Sequence, residues 1–245
     1  MAALALLFAC AGPALAGNGD WFVRAWHSDE GLPDNNVTGI AQAPDGYLWV
    51  ATLSGLVRFD GARFQEFSPD NLADIPGRGV RAMILDHRHR LWLALDRGIV
   101  VCLESNKARV YTKRDGVPTV TPQLMTEDGD GGIWIFNTRR NLVRIKDGTV
   151  SSFGVEEGLP SGTISCSLTS DLQGRLWFAV DNKVGIFQNG QFQVLLTLPE
   201  RQVAIAKSAD GGIWICAGSR VLKYDQAGQL KEQGLLPADV EPNVA

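Results

Sequence analysis

The sequence predicts an all-β protein, an incomplete propeller of four-stranded antiparallel blades of which about five are present. A tryptophan-centred unit returns at near-constant spacing, the apolar runs are short and separated by turn pairs, and no window sustains a period of 3.6 residues. With Trp49, Trp92, Trp134, Trp177 and Trp214 as register marks, the spacings are 43, 42, 43 and 37 residues, in the range of four-stranded blades.

The first unit shows how a blade is read. Val37 to Ala43, Leu48 to Thr52, Leu56 to Phe59 and Arg63 to Phe67 are short runs separated by Pro-Asp-Gly, Ser-Gly and Asp-Gly, pairs that connect antiparallel strands. The second unit reads as Val80 to Leu85, Leu91 to Leu95, Gly98 to Leu103 and Ala108 to Thr112. The third begins at Leu124 and continues as Ile133 to Phe136, Leu142 to Ile145 and Val150 to Phe153. A fourth runs from Thr163 to Val194 and a shorter fifth from Gln202 to Leu230. Each repeated Trp follows an acidic residue, taken as Asp86, Asp130, Asp171 and Asp210 in the later units, and is expected to fill the space between adjacent sheets.

Composition narrows the function. The chain has 245 residues, 45% of them hydrophobic, and a net charge of −4, a mildly acidic balance that argues against a nucleic-acid partner. Residues 1–16, MAALALLFACAGPALA, carry no charged side chain and end in Ala14-Leu15-Ala16, the small-x-small pattern of a signal-peptide cleavage site. The apolar run is too short to cross a bilayer. The expectation is a signal peptide over 1–16, a propeller over 17–245 and a periplasmic address, with no membrane span in this chain. Cys10, after Leu7-Phe8-Ala9, only weakly matches an acylation box. Cys102, Cys166 and Cys216 sit in apolar or small-residue runs without CxxC spacing, which reads as buried thiols and not as a disulfide framework or zinc site.

Glu30-Gly31-Leu32-Pro33-Asp34-Asn35-Asn36-Val37, Asp45-Gly46-Tyr47-Leu48-Trp49-Val50-Ala51-Thr52 and Gly55-Leu56-Val57-Arg58-Phe59-Asp60-Gly61 resemble the two-component regulator propeller repeat. The GLP element returns in Glu156 to Ile164, Asp115 to Val120 and Gln233 to Val240, and the GLxRFDG element in Leu142 to Gly148 and Val221 to Gly228. The second unit has Asp86-His87-Arg88-His89-Arg90 in place of a compact Asp-x-x-Gly turn, so it and the short fifth unit are expected to be less regular. The resemblance implies an extracytoplasmic sensor that passes ligand binding to a cytoplasmic histidine kinase, and so to a phosphorelay, or to a diguanylate cyclase. It further implies an inner-membrane anchor and homodimer contacts in parts C-terminal to this chain. On this reading the chain is a truncated propeller, with Trp21 to Trp26 completing the last blade of the full ring.

Propeller ligands usually meet the face formed by the inter-blade loops and the turns between second and third strands. On that face the sequence places Asn35, Asn36, Ser54, Arg78, Arg97, Asn137, Arg139, Arg140, Asn182 and Arg220 as ligand-binding candidates. Asn and Ser pair with hydroxyls and Arg forks grip carboxylate or sulfate, so the expected partner is a polar small molecule or oligosaccharide, with an anionic saccharide favoured. No metal and no cofactor is expected. The sequence shows no GxSxG, HExxH, GxGxxG or P-loop pattern, and the reading is not an enzyme. The alternatives are a lyase of streptogramin-lyase type, which would need a histidine on the ligand face, and a protein-binding scaffold. Of His27, His87 and His89, none is placed on that face, and the last two read as a solvated turn on the opposite face.

Overall fold

The computed structural model describes residues 24–67, 79–104, 107–139, 141–161 and 165–236. It contains five four-stranded antiparallel sheets, each built from four consecutive strands in sequence order. Blade 1 comprises β1 (Val37–Gln42), β2 (Leu48–Thr52), β3 (Gly55–Phe59) and β4 (Phe64–Glu66). Blade 2 comprises β5 (Val80–Leu85), β6 (Leu91–Leu95), β7 (Ile99–Glu104) and β8 (Lys107–Tyr111). Blade 3 has β9 (Pro122–Glu127), β10 (Ile133–Asn137), β11 (Leu142–Lys146) and β12 (Thr149–Phe153). Blade 4 has β13 (Cys166–Ser170), β14 (Leu176–Val180), β15 (Lys183–Gln188) and β16 (Gln191–Thr197). Blade 5 has β17 (Val203–Lys207), β18 (Ile213–Ala217), β19 (Arg220–Tyr224) and β20 (Leu230–Leu235). First strands of successive blades lie against one another, β1 on β5, β5 on β9, β9 on β13 and β13 on β17.

The second and fifth units are full blades, against the sequence expectation. In the second, His89 adopts the left-handed φ of 61° that Gly131 (75°) and Gly174 (76°) supply at the same place in blades 3 and 4. The turn therefore keeps its geometry without its glycine, at a conformational cost that a non-glycine residue normally bears there.

Tryptophan fixes the stacking. Trp92, Trp134 and Trp177 are almost fully buried, each in a cluster with the following blade: Trp92 with Ile133 and Ile145, Trp134 with Leu176 and Phe178, Trp177 with Ile205 and Ile213. A buried indole N–H needs an acceptor. It finds one six residues upstream, where Nε1 donates to Oδ2 of Asp86 (2.9 Å), Asp128 (2.6 Å) and Asp171 (2.8 Å). The acceptor in blade 3 is thus Asp128 and not Asp130, which the sequence reading had aligned.

Each of these aspartates is saturated. Oδ1 accepts two turn amides, from Arg88 and Arg90 at Asp86, from Asp130 and Gly132 at Asp128, and from Gln173 and Arg175 at Asp171. Oδ2 also meets a guanidinium, Arg90 (2.7 Å), Arg144 (2.6 Å) or Arg175 (2.6 Å). That same cation lies over the tryptophan ring at 5.4, 5.5 and 5.6 Å, respectively, within the range of a cation–π contact. Blades 1 and 5 shift the device. Their half-buried Trp49 and Trp214 carry Arg58 (5.3 Å) and Lys223 (4.8 Å) over the ring, and these cations pair with Asp45 and Asp210, four residues upstream of the tryptophan.

The cation has two alternative sources. Arg90 and Arg175 stand two residues before their tryptophans, and the cross-strand partners of those tryptophans are the uncharged Cys102 and Ile186. Where Tyr47, Gly132 or Gly212 takes that upstream place, the cross-strand partner is Arg58, Arg144 or Lys223. Every blade therefore has one cation over its tryptophan, supplied by one strand or the other.

Trp26, Tyr111 and Phe153 occupy equivalent places. Each is followed by a three-residue 3-10 turn (Ser28–Glu30, Lys113–Asp115, Val155–Glu157), a glycine of positive φ, then a buried Leu32, Val117 or Leu159 and a proline. Tyr111 and Phe153 end the fourth strands of blades 2 and 3. Trp26 stands where a fourth strand of a preceding blade would end, and its ring packs on Phe59 at 5.0 Å within the cluster of Leu32, Val50 and Val57. The expected closing strand, Trp21 to Trp26, lies partly outside the described residues, and the 1–16 leader lies wholly outside them. Cys102, Cys166 and Cys216 are free thiols on β7, β13 and β18, and burial pushes the Cys102 thiol up to about 11. No helix among the described residues is long and apolar enough to cross a membrane.

Burial would raise the Asp86 and Asp171 carboxyls, but the indole, backbone and guanidinium hydrogen bonds outweigh it and hold both below their ordinary value. A carboxyl depressed in the folded state stabilises the fold above its unfolded pKa of about 3.9 and loses that contribution as pH falls below it. Thermal unfolding should therefore be flat above about pH 5 and drop steeply below pH 4. Asp171→Asn should cost about 2–4 kcal/mol at pH 7, measured by urea denaturation, and should reduce the acid dependence.

Candidate functional site

Strand direction divides the molecule into two faces. The loops entering each first strand and the turns between second and third strands lie on one, the entry face. The turns between first and second and between third and fourth strands lie on the other, the hairpin face. The predicted ligand residues belong to the entry face, and Arg78 and Arg140 among them lie outside the described residues.

At blade 1, Asp34 gathers its neighbours. Its Oδ1 accepts from the Asn36 amide (2.9 Å) and from Asn36 Nδ2 (3.0 Å), and Oδ2 accepts from the Ser54 hydroxyl (2.9 Å). The Asn36 amide and then the Ser54 hydroxyl hold the Asp34 carboxyl low. Asn35 Oδ1 accepts from the Ser28 amide at 3.0 Å. All three predicted residues are exposed, yet each already takes part in a hydrogen bond that shapes the loop.

Three further candidates are also engaged. Asn137 is 3% exposed, and its Oδ1 accepts from the amides of Arg139 (3.0 Å) and Asn141 (3.5 Å), folding the β10–β11 turn around itself. Asn182 Nδ2 donates to the Leu198 carbonyl at 2.8 Å. Arg220 bridges Glu200 (2.8 Å) and Glu232 (3.0 Å). The nearby Arg81 is held by Asp96 at 2.7 Å.

Arg97 and Arg139 differ from these. Both are exposed, both lie on second-to-third-strand turns of adjacent blades, and neither guanidinium has a side-chain partner among the described residues. Arg97 sits at a positive φ of 62°. Two free guanidinium forks on neighbouring turns suit a carboxylate or sulfate, with the hydroxyl and amides around Asp34 one blade away.

The histidines have other positions. His27 begins the turn into the first inter-blade loop and so stands at the outer end of an entry-face loop, where the sequence reading had placed no histidine. His87, read as a solvated turn residue, is bonded across blades: its amide donates to Glu127 Oε2 at 2.8 Å and its Nδ1 meets Glu127 Oε1. No cluster of three or more potential metal ligands occurs among the described residues.

Sequence reasoning missed a cavity on the hairpin face. About 500 Å³ of space opens where the ends of β5, β9, β13 and β17 converge, lined in part by Met125, Thr126, Ser170, Leu172, Gln173 and Lys207. A smaller cleft of about 210 Å³ lies between blades 2 and 3 beside Arg90, Lys107, Arg109 and Tyr111. The signal for the larger one was the set of residues around each Asp turn, which the repeat had marked as scaffold.

Residues 31–54, within the repeat read at Glu30 to Gly61, match the family model of the two component regulator propeller. No curated protein matches the sequence. Among solved structures, the extracellular domain of a hybrid two component system from B. thetaiotaomicron is similar at 18% identity and a TM-score of 0.69, over 87% of this chain and 30% of that one. The extracellular domain of a one component system from the same organism gives 17% identity and a TM-score of 0.67, over 83% and 30%. Virginiamycin B lyase from Staphylococcus aureus gives 16% identity and a TM-score of 0.66, over 86% and 73%. The chain spans about three tenths of the two extracellular domains. At these identities the likeness establishes the propeller fold.

Turn-building and free side chains should separate in a stability measurement. Asn137→Ala orphans two turn amides and should cost about 1–3 kcal/mol in urea unfolding. Arg139→Ala, on the same turn, should stay within about 0.5 kcal/mol of the parent.

Proposed function

We propose that this chain is the ligand-binding propeller region of an exported bacterial sensor, whose output is a histidine kinase or diguanylate cyclase module outside these 245 residues. Its ligand is a polar, anionic saccharide that meets the entry face. The observation that carries the reading is the pair of guanidinium groups of Arg97 and Arg139, without a side-chain partner among the described residues, on a face where Arg81 and Arg220 are both neutralised by carboxylates. The family match over residues 31–54 supports a signalling context, and extracellular domains of two component systems carry the same fold. The corresponding location is the periplasm. We assign the chain no catalytic role.

The second reading is a lyase. The fold shared with virginiamycin B lyase favours it; a histidine-to-alanine form of that enzyme is catalytically inactive, so the reading requires a histidine at the site. Here His27 stands at the outer end of its loop and His87 is tied to Glu127 on the hairpin face, so neither is positioned beside Arg97 and Arg139.

The test is an array of sulfated, uronate-containing and neutral oligosaccharides probed with the parent and with Arg97→Ala/Arg139→Ala. The parent should retain acidic glycans selectively, and the double variant should lose them by at least about tenfold with its melting temperature nearly unchanged. Equal retention by both proteins would remove the entry-face arginines from the account.

A further inference from the structure

The cavity on the hairpin face has a wall held from both sides. His87 of blade 2 is bonded to Glu127 of blade 3. The first hairpins of blades 3 and 4 touch through glycine, with Gly129 N donating to Gly174 O at 2.7 Å; a Cβ on Gly129 would stand 2.7 Å from the Gly174 Cα. Three of the contributing blades are thus fixed relative to one another at the cavity rim, which is preorganisation of the kind a binding site needs.

The free chemistry facing this space differs from its sequence composition. Asp128 and Asp171 stand at its edge, but their carboxylates are turned into the blades and saturated by indole, amide and guanidinium donors. Glu127 is occupied by His87. Lys207 remains. It ends β17 on the side of the strand that carries Val203 and Ile205 against blade 4, it is exposed, and no carboxylate lies within ion-pair distance of it among the described residues. Thr126 and Ser170 bring hydroxyls, Gln173 an exposed amide, and Met125 and Leu172 an apolar surface, Leu172 being 51% exposed.

We propose that this cavity is a second binding site, for a small polyhydroxylated monocarboxylate of the sugar-acid class. Lys207 takes the carboxylate, Thr126, Ser170 and Gln173 exchange hydrogen bonds with hydroxyls, and Met125 and Leu172 receive the C–H face of the ring. The volume of about 500 Å³ falls inside the roughly 300–1,000 Å³ typical of small-molecule pockets. The site lies on the opposite face from Arg97 and Arg139 and stands or falls independently of them.

The experiment is calorimetric titration of the chain with glucuronate, with glucose as the neutral control. Glucuronate should bind at least about tenfold more tightly than glucose, and Lys207→Met should remove that preference. Gln173→Ala, at an exposed turn, should weaken glucuronate several-fold and provides the test should Lys207→Met fail to fold. The titrations are repeated in the Arg97→Ala/Arg139→Ala background, where any entry-face binding of glucuronate is removed and the Lys207-dependent preference should persist. In that background, equal binding of glucuronate and glucose, undiminished glucuronate binding by either cavity variant, or loss of glucuronate binding before Lys207 or Gln173 is changed would each overturn the assignment.

Discussion

A buried indole N–H between two sheets has to be satisfied, and the rest of this structure follows from how that is done. In blades 2, 3 and 4 an aspartate six residues upstream accepts the indole, ties the first hairpin through two amides and takes a guanidinium that returns to cover the ring. One carboxylate thereby fixes the turn, the tryptophan and the cation together. A lone charge in such a place would be strongly destabilising; it is tolerated because each lone pair has a donor. At Trp49 and Trp214, which are half-buried, water can serve the indole, and the aspartate moves to a position where it meets only the cation or the turn.

That arrangement also divides the faces functionally. The hairpins that carry the aspartates are rigid, locked to one another by Glu127 and by the Gly129–Gly174 contact. The entry face is built from longer loops whose side chains mostly bond within their own blade. Among the described residues, the charges left over from these tasks include Arg97 and Arg139 on one face and Lys207 on the other.

Much of the fold was legible because the tryptophan period and the turn pairs are both geometric requirements of a stacked four-stranded sheet. Strands such as Leu48–Thr52, Val80–Leu85 and Leu91–Leu95 fall where the pattern puts them. The second hairpin misled because a histidine can occupy the left-handed position that glycine usually fills. Asp130 misled because Asp128 and Asp130 flank the same turn, and only the direction of the indole distinguishes them. The site was less legible. Residue type shows that Asn137, Asn182 and Arg220 are polar; it does not show that a turn amide, the Leu198 carbonyl, or Glu200 and Glu232 already hold them. Leu198, Glu200 and Glu232 lie on other strands or loops, and the Asn137 bonds depend on how its own turn folds back, so the distinction between a free and a committed side chain exists only in three dimensions.

The complementarity between the two cation positions offers the most direct test of the account. In blade 4, Arg175→Gly places glycine where blade 3 has Gly132, and Ile186→Arg places arginine where blade 3 has Arg144. Urea denaturation of the two single variants and the double variant measures the coupling between them. The account predicts that Arg175→Gly destabilises and that adding Ile186→Arg restores most of the loss. Additive destabilisation by the two substitutions would contradict it, since the cation would then have no transferable role over Trp177.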